Sequence, residues 1–289
     1  MTPLDYEFLR KLLKERSGLD LSSDKQYLVE SRLIPLARRG GLPGIGELVQ
    51  KLKVGTEPLT SEVVEAMTTN ETFFFRDKIP FDHLKEAVLP ALAQARAGRR
   101  ALRIWCAASS TGQEPYSIAM CVKEFAALAG WRVEIVATDL SQEVLEKSKA
   151  GIYSQFEVQR GLPIQLLIKH FKQVGELWQL NADIRGMVQH RQLNLMHDFS
   201  HLGTFDLIFC RNVLIYFDQD TKISIFERLS RMLEPDGVLA LGAAESVVGL
   251  SDAFKPYPER RGLYRPNPAR APRVSAATMP LRAVAAATR

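Results

Sequence analysis

Along the first quarter of the chain, apolar residues recur at the spacing of amphipathic helices, with polar faces between them. The pattern predicts four helices, over Tyr6–Arg16, Lys25–Arg39, Ile45–Val54 and Ser61–Met67. Because Pro35 lacks an amide N–H, it predicts a break or kink inside the second helix. Residues 1–77 are therefore predicted to form a small all-helical domain.

After an amphipathic helix over Phe81–Ala97, the pattern changes to short apolar runs that alternate with helical segments. The predicted strands are Leu102–Cys106, Val133–Ala137, Phe205–Cys210 and Gly237–Leu241, and the predicted helices are Pro115–Leu128, Gln142–Ala150 and Gln219–Leu233. Such alternation is typical of a doubly wound α/β domain, whose ligands bind beyond the carboxyl ends of parallel strands. We assign residues 78–265 to this domain.

A further strand pattern lies inside the α/β domain. Residues from Val174 to Leu180 and from Met187 to Leu193 alternate in the way that half-buried strands do. They predict a small antiparallel β-subdomain, inserted at about residues 172–192.

Charge is distributed unevenly along the chain. The formal net charge is +5, but the tail from Pro266 to Arg289 holds four arginines and no acidic residue. The rest of the chain is close to neutral, which argues against a nucleic-acid-binding protein. The tail is built of Ala, Pro, Arg, Ser and Thr with little to bury, so residues 266–289 are predicted to be disordered.

Composition also bears on the compartment and on metals. No apolar run approaches the ~20 residues that span a bilayer, and the charged N-terminus does not resemble a secretion signal. We therefore expect a cytoplasmic protein without membrane insertion. The three cysteines lack Cys-x-x-Cys spacing and the histidines form no His-Glu-x-x-His pair, so no metal site is predicted.

The loops after the first two strands carry the first candidate chemistry. Small residues between Cys106 and Pro115 let the backbone approach a ligand, but only Gly112 remains of the three glycines of a dinucleotide-binding loop. Asp139 follows the second strand, where an acid can accept both hydroxyls of a ribose. We favour a nucleoside-containing cofactor. An ordinary strand-to-helix turn, with Asp139 merely closing the next turn, is the alternative.

The run after the third predicted strand adds three polar side chains at the same sheet edge. Arg211, Asn212 and Tyr216 lie where a cofactor and a substrate would meet. For Tyr216 the alternative is a core aromatic residue, which is the more frequent role of a lone tyrosine. Arg211 and Asn212 are harder to explain as core.

Four segments, taken in order, closely resemble the CheR family of chemotaxis receptor methyltransferases. They are Met67–Asp77, the loop after the first strand, Thr138–Asp139 and Cys210–Phe217. The resemblance covers about residues 4–265 and implies an S-adenosylmethionine-dependent enzyme that methylates glutamate side chains of chemotaxis receptors. Because that cofactor has no phosphates, the single Gly112 agrees with it.

The resemblance also implies residue roles. Asn70, Thr72 and Arg76 would reach the cofactor, Glu114 and Asp139 would hold its amino or ribose groups, and Asn194, Leu195, Arg211 and Asn212 would surround the adenine. Arg76 and Tyr216 would border the reacting methyl. A glutamate with a pKa of about 4.3 is already ionised at neutral pH, so its methylation needs no general base.

The receptor is the expected partner. Lys25, Arg32 and Arg39 are seven residues apart with Arg38 adjacent, and such a basic stripe could lie along an acidic receptor coiled coil. A solvated helix face is the alternative. In this family a glycine-rich insertion in the β-subdomain binds a receptor C-terminal pentapeptide. Since Gly175 and Gly186 form no such cluster, we expect no dependence on this tether. We also expect the protein to be a monomer.

Two other classes of function remain open at this stage. A scaffold module could retain cofactor binding without turnover, although the intact Asn70–Arg76 segment and Tyr216 argue against it. A dinucleotide-dependent oxidoreductase is disfavoured by the missing glycines and by the absence of an evident proton donor.

Overall fold

A computed structural model describes residues 1–55 and 57–270. The chain begins with four helices, α1 (Pro3–Ser17), α2 (Gln26–Arg39), α3 (Ile45–Val54) and α4 (Glu57–Met67), which confirms the predicted helical domain. Their apolar faces meet in one core, in which Leu9, Leu33, Leu48 and Val63 are fully buried. Helix packing of this kind supplies the stability that short helices lack in isolation.

Of the break or kink predicted at Pro35, the break is wrong, because α2 runs through this residue. A proline inside a helix leaves the carbonyl four residues earlier without its N–H partner. Here that carbonyl belongs to Ser31, and both Ser31 and Pro35 lie on the exposed side of the helix. Water can therefore satisfy the carbonyl, and the helix continues.

The second domain is built on a seven-stranded sheet. Its strands are β1 (Ala101–Ala107), β2 (Arg132–Asp139), β6 (Val188–Gln192), β7 (Phe205–Cys210), β8 (Leu233–Leu241), β9 (Phe254–Pro256) and β10 (Leu263–Pro266). Their order is β6-β2-β1-β7-β8-β10-β9. The first five strands in this order are parallel, β10 pairs antiparallel with β8, and β9 pairs antiparallel with β10. The predicted doubly wound sheet is confirmed.

Helices cover both faces of the sheet. They are α5 (Ile79–His83), α6 (Leu89–Ala95), α7 (Gln113–Glu124), α8 (Gln142–Ala150), α9 (Gln155–Gln159), α10 (Ile164–His170), α11 (Ala182–Arg185) and α12 (Gln219–Arg231), with a π-helical turn at Leu84–Val88 between α5 and α6. Strand β1 shows the two-sided burial: Ile104 packs into the core on one face, and Trp105 packs into the core on the other.

The order of the strands reverses between β1 and β7. The chain leaves β1 through α7 towards β2, and it leaves β7 through α12 towards β8 on the other side. Loops that depart in opposite directions leave a crevice at the carboxyl ends of the strands. The candidate site lies in this crevice.

The predicted β-subdomain is partly wrong. The hairpin of β4 (Phe171–Val174) and β5 (Leu177–Leu180) exists, but its third strand is β3 (Ile152–Ser154), which precedes the predicted segment. The run from Met187 to Leu193 instead supplies β6, which pairs parallel with β2 in the main sheet. Alternation of apolar and polar residues indicates that one face of a strand is buried. It does not indicate which other strand that strand pairs with.

The prediction of disorder is wrong for the beginning of the tail, residues 266–270. Asn267 donates its backbone N–H to the carbonyl of Ala253 at 2.8 Å, and Arg270 pairs with Glu227 at 2.7 Å and with Asp252 at 3.0 Å. These contacts anchor residues 266–270 to the domain. The rest of the predicted tail, residues 271–289, lies outside the described residues.

The two domains meet where α1 ends. Gly18 follows α1 in the left-handed conformation at φ +77°, and a Cβ there would lie 2.6 Å from Met196 Sδ and 2.9 Å from the Phe217 ring. Nearby, Lys14 pairs with Asp218 at 2.7 Å. Close packing at Gly18 therefore sets the distance between the helical domain and the sheet domain.

Replacing Gly18 with alanine should destabilise the protein more than the same change at Gly41. Gly41 is also left-handed, at φ +68°, but a Cβ there meets nothing within 4 Å. Gly41→Ala should therefore cost only the backbone strain of about 1–2 kcal/mol, whereas Gly18→Ala adds the interdomain clash. Urea unfolding of both variants measures the difference. Equal losses would show that Met196 and Phe217 move aside without cost.

Candidate active site

A cleft opens at the carboxyl ends of β1, β2 and β7, and the segment 67–72 and the end of α1 form its opposite wall. Its empty volume is about 1030 Å³ with the open mouth included. All residues predicted to bind the cofactor or to act in catalysis line this cleft: Asn70, Thr72, Arg76, Glu114, Asp139, Asn194, Leu195, Arg211, Asn212 and Tyr216. Residues from both domains thus build one site.

The loop after β1 is strained and tightly packed. Ala108 and Ser110 are left-handed at φ +60° and φ +50°, and Gly112 is left-handed at φ +95°. A Cβ on Gly112 would lie 2.1 Å from Ser148 Oγ on α8. A glycine is therefore required at position 112 because the loop approaches α8 closely. This requirement does not depend on phosphate binding.

Asp139 lies at the end of β2 and is almost fully buried. Its Oδ2 accepts the Ser110 backbone N–H at 2.8 Å, and its Oδ1 accepts that of Ser141 at 3.0 Å. Burial raises the pKa of Asp139, although these hydrogen bonds oppose the rise. A carboxylate has about four acceptor positions, so Asp139 can still accept hydroxyl groups from a ligand.

Arg211 lies between two carboxylates at the end of β7. Its Nη1 donates to Glu114 Oε2 at 2.8 Å, and its Nη2 donates to Asp77 Oδ2 at 2.7 Å and to the Arg76 carbonyl at 2.9 Å. Burial raises the pKa of Glu114 and the Arg211 charge opposes this rise. The terminal nitrogens of Arg211 thus bind protein groups, while its buried Nε has no hydrogen-bond partner among the described residues.

Arg76 and Tyr216 lie on different walls of the cleft. Arg76 Nη1 donates to the Glu71 carbonyl, and the guanidinium is 5.7 Å from the Phe73 ring centroid. The ring of Tyr216 packs against the core on the α12 side of the sheet, and its carbonyl accepts the Asp20 backbone N–H at 2.9 Å. Tyr216 is thus both a core-packing residue and a cleft residue.

Asn194 and Leu195 form the wall nearest α1. Asn194 Nδ2 donates to the Arg16 carbonyl at 2.6 Å, and its Oδ1 accepts the Met196 backbone N–H at 2.9 Å. Leu195 is buried, and its carbonyl accepts Arg228 Nη2 at 2.7 Å. The Asn194 amide therefore ties the two domains together, and Leu195 provides an apolar surface.

Glu245 is an important site residue that the sequence did not suggest. It follows β8, and its carboxylate accepts the backbone N–H groups of Asn212, Val213, Leu214 and Gly242 at 2.7–3.0 Å. These bonds hold the loop after β7, where Asn212 is left-handed at φ +58°. The only signal in the sequence was an acid after the last parallel strand, which is weak by itself.

The predicted receptor-binding stripe is interrupted. Arg38 and Arg39 are exposed and Lys25 is partly exposed, near the end and the start of α2. Arg32, in contrast, turns towards its own domain and donates to the carbonyls of Met67 and Thr68 at 2.6 and 2.8 Å. The Arg32 guanidinium thus satisfies backbone carbonyls within its own chain.

The other ionisable groups of the described residues form no metal site and include no reactive thiol. Within residues 1–55 and 57–270, no cluster of three His, Cys, Asp or Glu side chains could hold a metal ion. Cys106, Cys121 and Cys210 are buried, and burial raises the pKa of each thiol. In the same part of the chain, none of the helices combines the length and the apolar character needed to cross a membrane.

Two family descriptions match the two domains. Residues 4–68 match "CheR methyltransferase, all-alpha domain" and residues 70–263 match "CheR methyltransferase, SAM binding domain", where SAM denotes S-adenosylmethionine. The chain belongs to the CheR methyltransferase family.

Individual relatives agree with this assignment. This CheR methyltransferase is 45% identical over 258 residues to "Chemotaxis protein methyltransferase 1" of Pseudomonas aeruginosa, covering 87% of this chain and 93% of the relative. It is 43% identical to "Chemotaxis protein methyltransferase Cher2" of Pseudomonas putida, with 87% and 94% covered. A relative from Borreliella burgdorferi is 36% identical, with 83% and 87% covered.

The cleft of this CheR methyltransferase fits S-adenosylmethionine. Asp139 retains acceptor positions for hydroxyl groups, Leu195 provides an apolar surface, and the buried Arg211 Nε has no hydrogen-bond partner among the described residues. The loop after β1 packs closely against α8 at Gly112, and it lacks the three glycines of a dinucleotide-binding loop. A nucleoside without phosphates suits such a site better than a dinucleotide does.

Replacing Glu245 with glutamine should weaken both the fold and cofactor binding. The two carboxylate oxygens of Glu245 accept four backbone N–H groups. Glutamine keeps only one of these oxygens, and its NH₂ group is a donor that would face other donors. We expect a loss of about 1–3 kcal/mol in unfolding free energy, with weaker S-adenosylhomocysteine binding by calorimetry. The exposed Glu176→Gln is the matched control. Wild-type affinity in Glu245→Gln would show that the loop after β7 does not depend on Glu245.

Proposed function

We propose that this chain transfers a methyl group from S-adenosylmethionine to glutamate carboxylates of chemotaxis receptors, forming methyl esters used in sensory adaptation. The observation that carries the proposal is the chemistry of the cleft wall. Among the described residues that line the cleft, none is His, Lys or Cys. An amine or alcohol acceptor would require a base to remove a proton, whereas a glutamate is already ionised at neutral pH.

The carboxylates in the cleft are already engaged and do not act as that base. Glu114 pairs with Arg211, and Asp139 accepts two backbone N–H groups. Glu71, at the mouth, pairs with Arg160 at 2.6 Å, and this pairing lowers its pKa. A lowered pKa makes Glu71 a poorer proton acceptor. The chain's contribution is therefore to bind and to orient.

In this proposal, Asp139 accepts the ribose hydroxyls and Glu114 holds the amino group, while Asn194, Leu195 and Asn212 lie around the adenine. Asn70 and Thr72 reach the cofactor from the segment between the domains, and Arg211 acts mainly by holding Glu114. The cofactor supplies a methyl group activated by a positively charged sulfur.

Transfer to a carboxylate removes one positive and one negative charge, so the transition state is less polar than the reactants. A site that excludes water and aligns the acceptor oxygen with the departing sulfur promotes this step. An arginine that gripped the carboxylate tightly would stabilise the ground state more than the transition state. We therefore assign Arg76 a positioning role and place Tyr216 beside the reacting methyl.

The receptor would dock on the helical domain. Lys25, Arg38 and Arg39 of α2 remain accessible for an acidic receptor coiled coil. The turn of the β4–β5 hairpin is only Gly175 and Glu176, which is too short for the glycine-rich loop that binds a receptor pentapeptide. We accordingly propose that receptor binding does not use this tether. We also propose that the protein is a cytoplasmic monomer that acts without nucleic acid and without a metal ion.

Methyl transfer to a receptor fragment tests the proposal. The full chain, given S-adenosylmethionine with a labelled methyl and the cytoplasmic fragment of a receptor from the same cell, should label the fragment. Mild alkali should then release the label as volatile methanol, because an ester hydrolyses under conditions in which N-methyl groups persist. Label that resists alkali, or no label on any receptor fragment, would contradict the proposal.

Variants of Arg76 separate positioning from proton transfer. Arg76→Ala should raise the KM for cofactor or receptor as well as lower the rate, and Arg76→Lys should restore part of the loss. Arg231→Ala, on the exposed side of α12, is the matched control and should behave as the wild type. If Arg76→Ala abolished turnover while leaving both affinities intact, the positioning role would be wrong.

A further inference from the structure

Arg32 makes a contact that reaches from the helical domain to the wall of the cofactor cleft. Its Nη1 donates to the carbonyls of Met67 at 2.6 Å and Thr68 at 2.8 Å, and its Nη2 donates to Thr69 Oγ1 at 2.9 Å. One guanidinium thus binds three consecutive residues. Each is a charge-assisted hydrogen bond, which is stronger than a bond between neutral groups.

These three acceptors lie where α4 ends. Met67 is the last residue of the helix, and the final carbonyls of a helix have no N–H partner within it. A cation at this end also interacts favourably with the helix dipole. Arg32 therefore caps α4 and determines the direction in which the chain leaves the helix.

The chain that leaves α4 is part of the cofactor site. Residues 67–72 line the cleft, and Asn70 and Thr72 are among the predicted cofactor-binding residues. At the other end of this stretch, Ser110 Oγ donates to the Asn70 carbonyl at 2.8 Å, while the Ser110 backbone N–H donates to Asp139. The segment is thus held by Arg32 from one domain and by Ser110 from the other.

We propose that Arg32 is a positioning residue of the cofactor site and not a receptor contact. By fixing residues 67–69 it places the following residues across the cleft, so its loss would weaken the cofactor affinity of the whole enzyme. The inference rests on S-adenosylmethionine binding by this fold and not on the identity of the methyl acceptor. A failure of glutamate as acceptor would leave it standing.

Calorimetry with S-adenosylhomocysteine tests this role on the full chain. Arg32→Ala should lower the affinity by about tenfold or more, since a tenfold change corresponds to about 1.4 kcal/mol and a hydrogen bond to a charged group contributes about that or more. Arg32→Lys should give an intermediate affinity, because an ammonium can reach the carbonyls without matching all three bonds. Arg231→Ala is the matched control and should bind as the wild type.

Kinetics provide the readout that distinguishes positioning from general structural support. The KM for S-adenosylmethionine should rise in the order wild type, Arg32→Lys, Arg32→Ala, while the KM for the methyl acceptor stays constant. Circular dichroism verifies that each variant is folded, and Arg32→Lys decides the question if Arg32→Ala does not fold. Unchanged cofactor affinity in the variants, with a rise only in the KM for the acceptor, would overturn the proposal and restore Arg32 to a receptor-binding surface.

Discussion

A buried arginine, paired with carboxylates from two other segments, is the interaction on which the cofactor cleft depends. Arg211 comes from the end of β7, Glu114 from the start of α7, and Asp77 from the segment that joins the domains. Removing one partner of a buried pair typically costs about 3–5 kcal/mol, because the remaining charge is left without compensation. Separating the start of α7 from the end of β7 would therefore carry a large cost, and the pair with the partly exposed Asp77 adds a weaker link to the segment between the domains. Since the same guanidinium also binds the Arg76 carbonyl, it sets the path of the backbone that carries Arg76.

Around Arg211 and its two carboxylate partners, the cleft is formed by segments that are distant in sequence. Glu245 holds the loop after β7, Ser110 ties the loop after β1 to Asp139 and to Asn70, and Asn194 binds the end of α1. A site made in this way exists only when the helical domain is docked on the sheet. Domain docking and cofactor binding should therefore stabilise each other, because a ligand that binds only the assembled cleft shifts the equilibrium towards it.

Much of this arrangement could be predicted from the sequence, and the exceptions have physical causes. The strands of the parallel sheet are short apolar runs, and the side chains that follow their carboxyl ends line the cleft. Position in the sequence therefore pointed to Asp139, Arg211 and Asn212. The family resemblance pointed to Asn70, Glu114 and Asn194. The pairing of β6 with β2 was not predictable, because alternation does not specify a partner. Glu245 was missed and the intramolecular contacts of Arg32 were not foreseen, because both side chains bind backbone groups. Such contacts depend on tertiary geometry and leave no pattern in the residues that accept or donate them.

We propose that both domains enclose one S-adenosylmethionine site, with Asp139 on one wall and residues 68–72 on the other. A crystal structure of the full chain with S-adenosylhomocysteine would show whether the ligand lies between these two walls. We expect the ribose hydroxyls within hydrogen-bond distance of the Asp139 carboxylate, and the ligand in contact with the segment between α4 and Arg76. A ligand that bound without touching residues 68–72, or away from Asp139, would show that the two domains do not share one site.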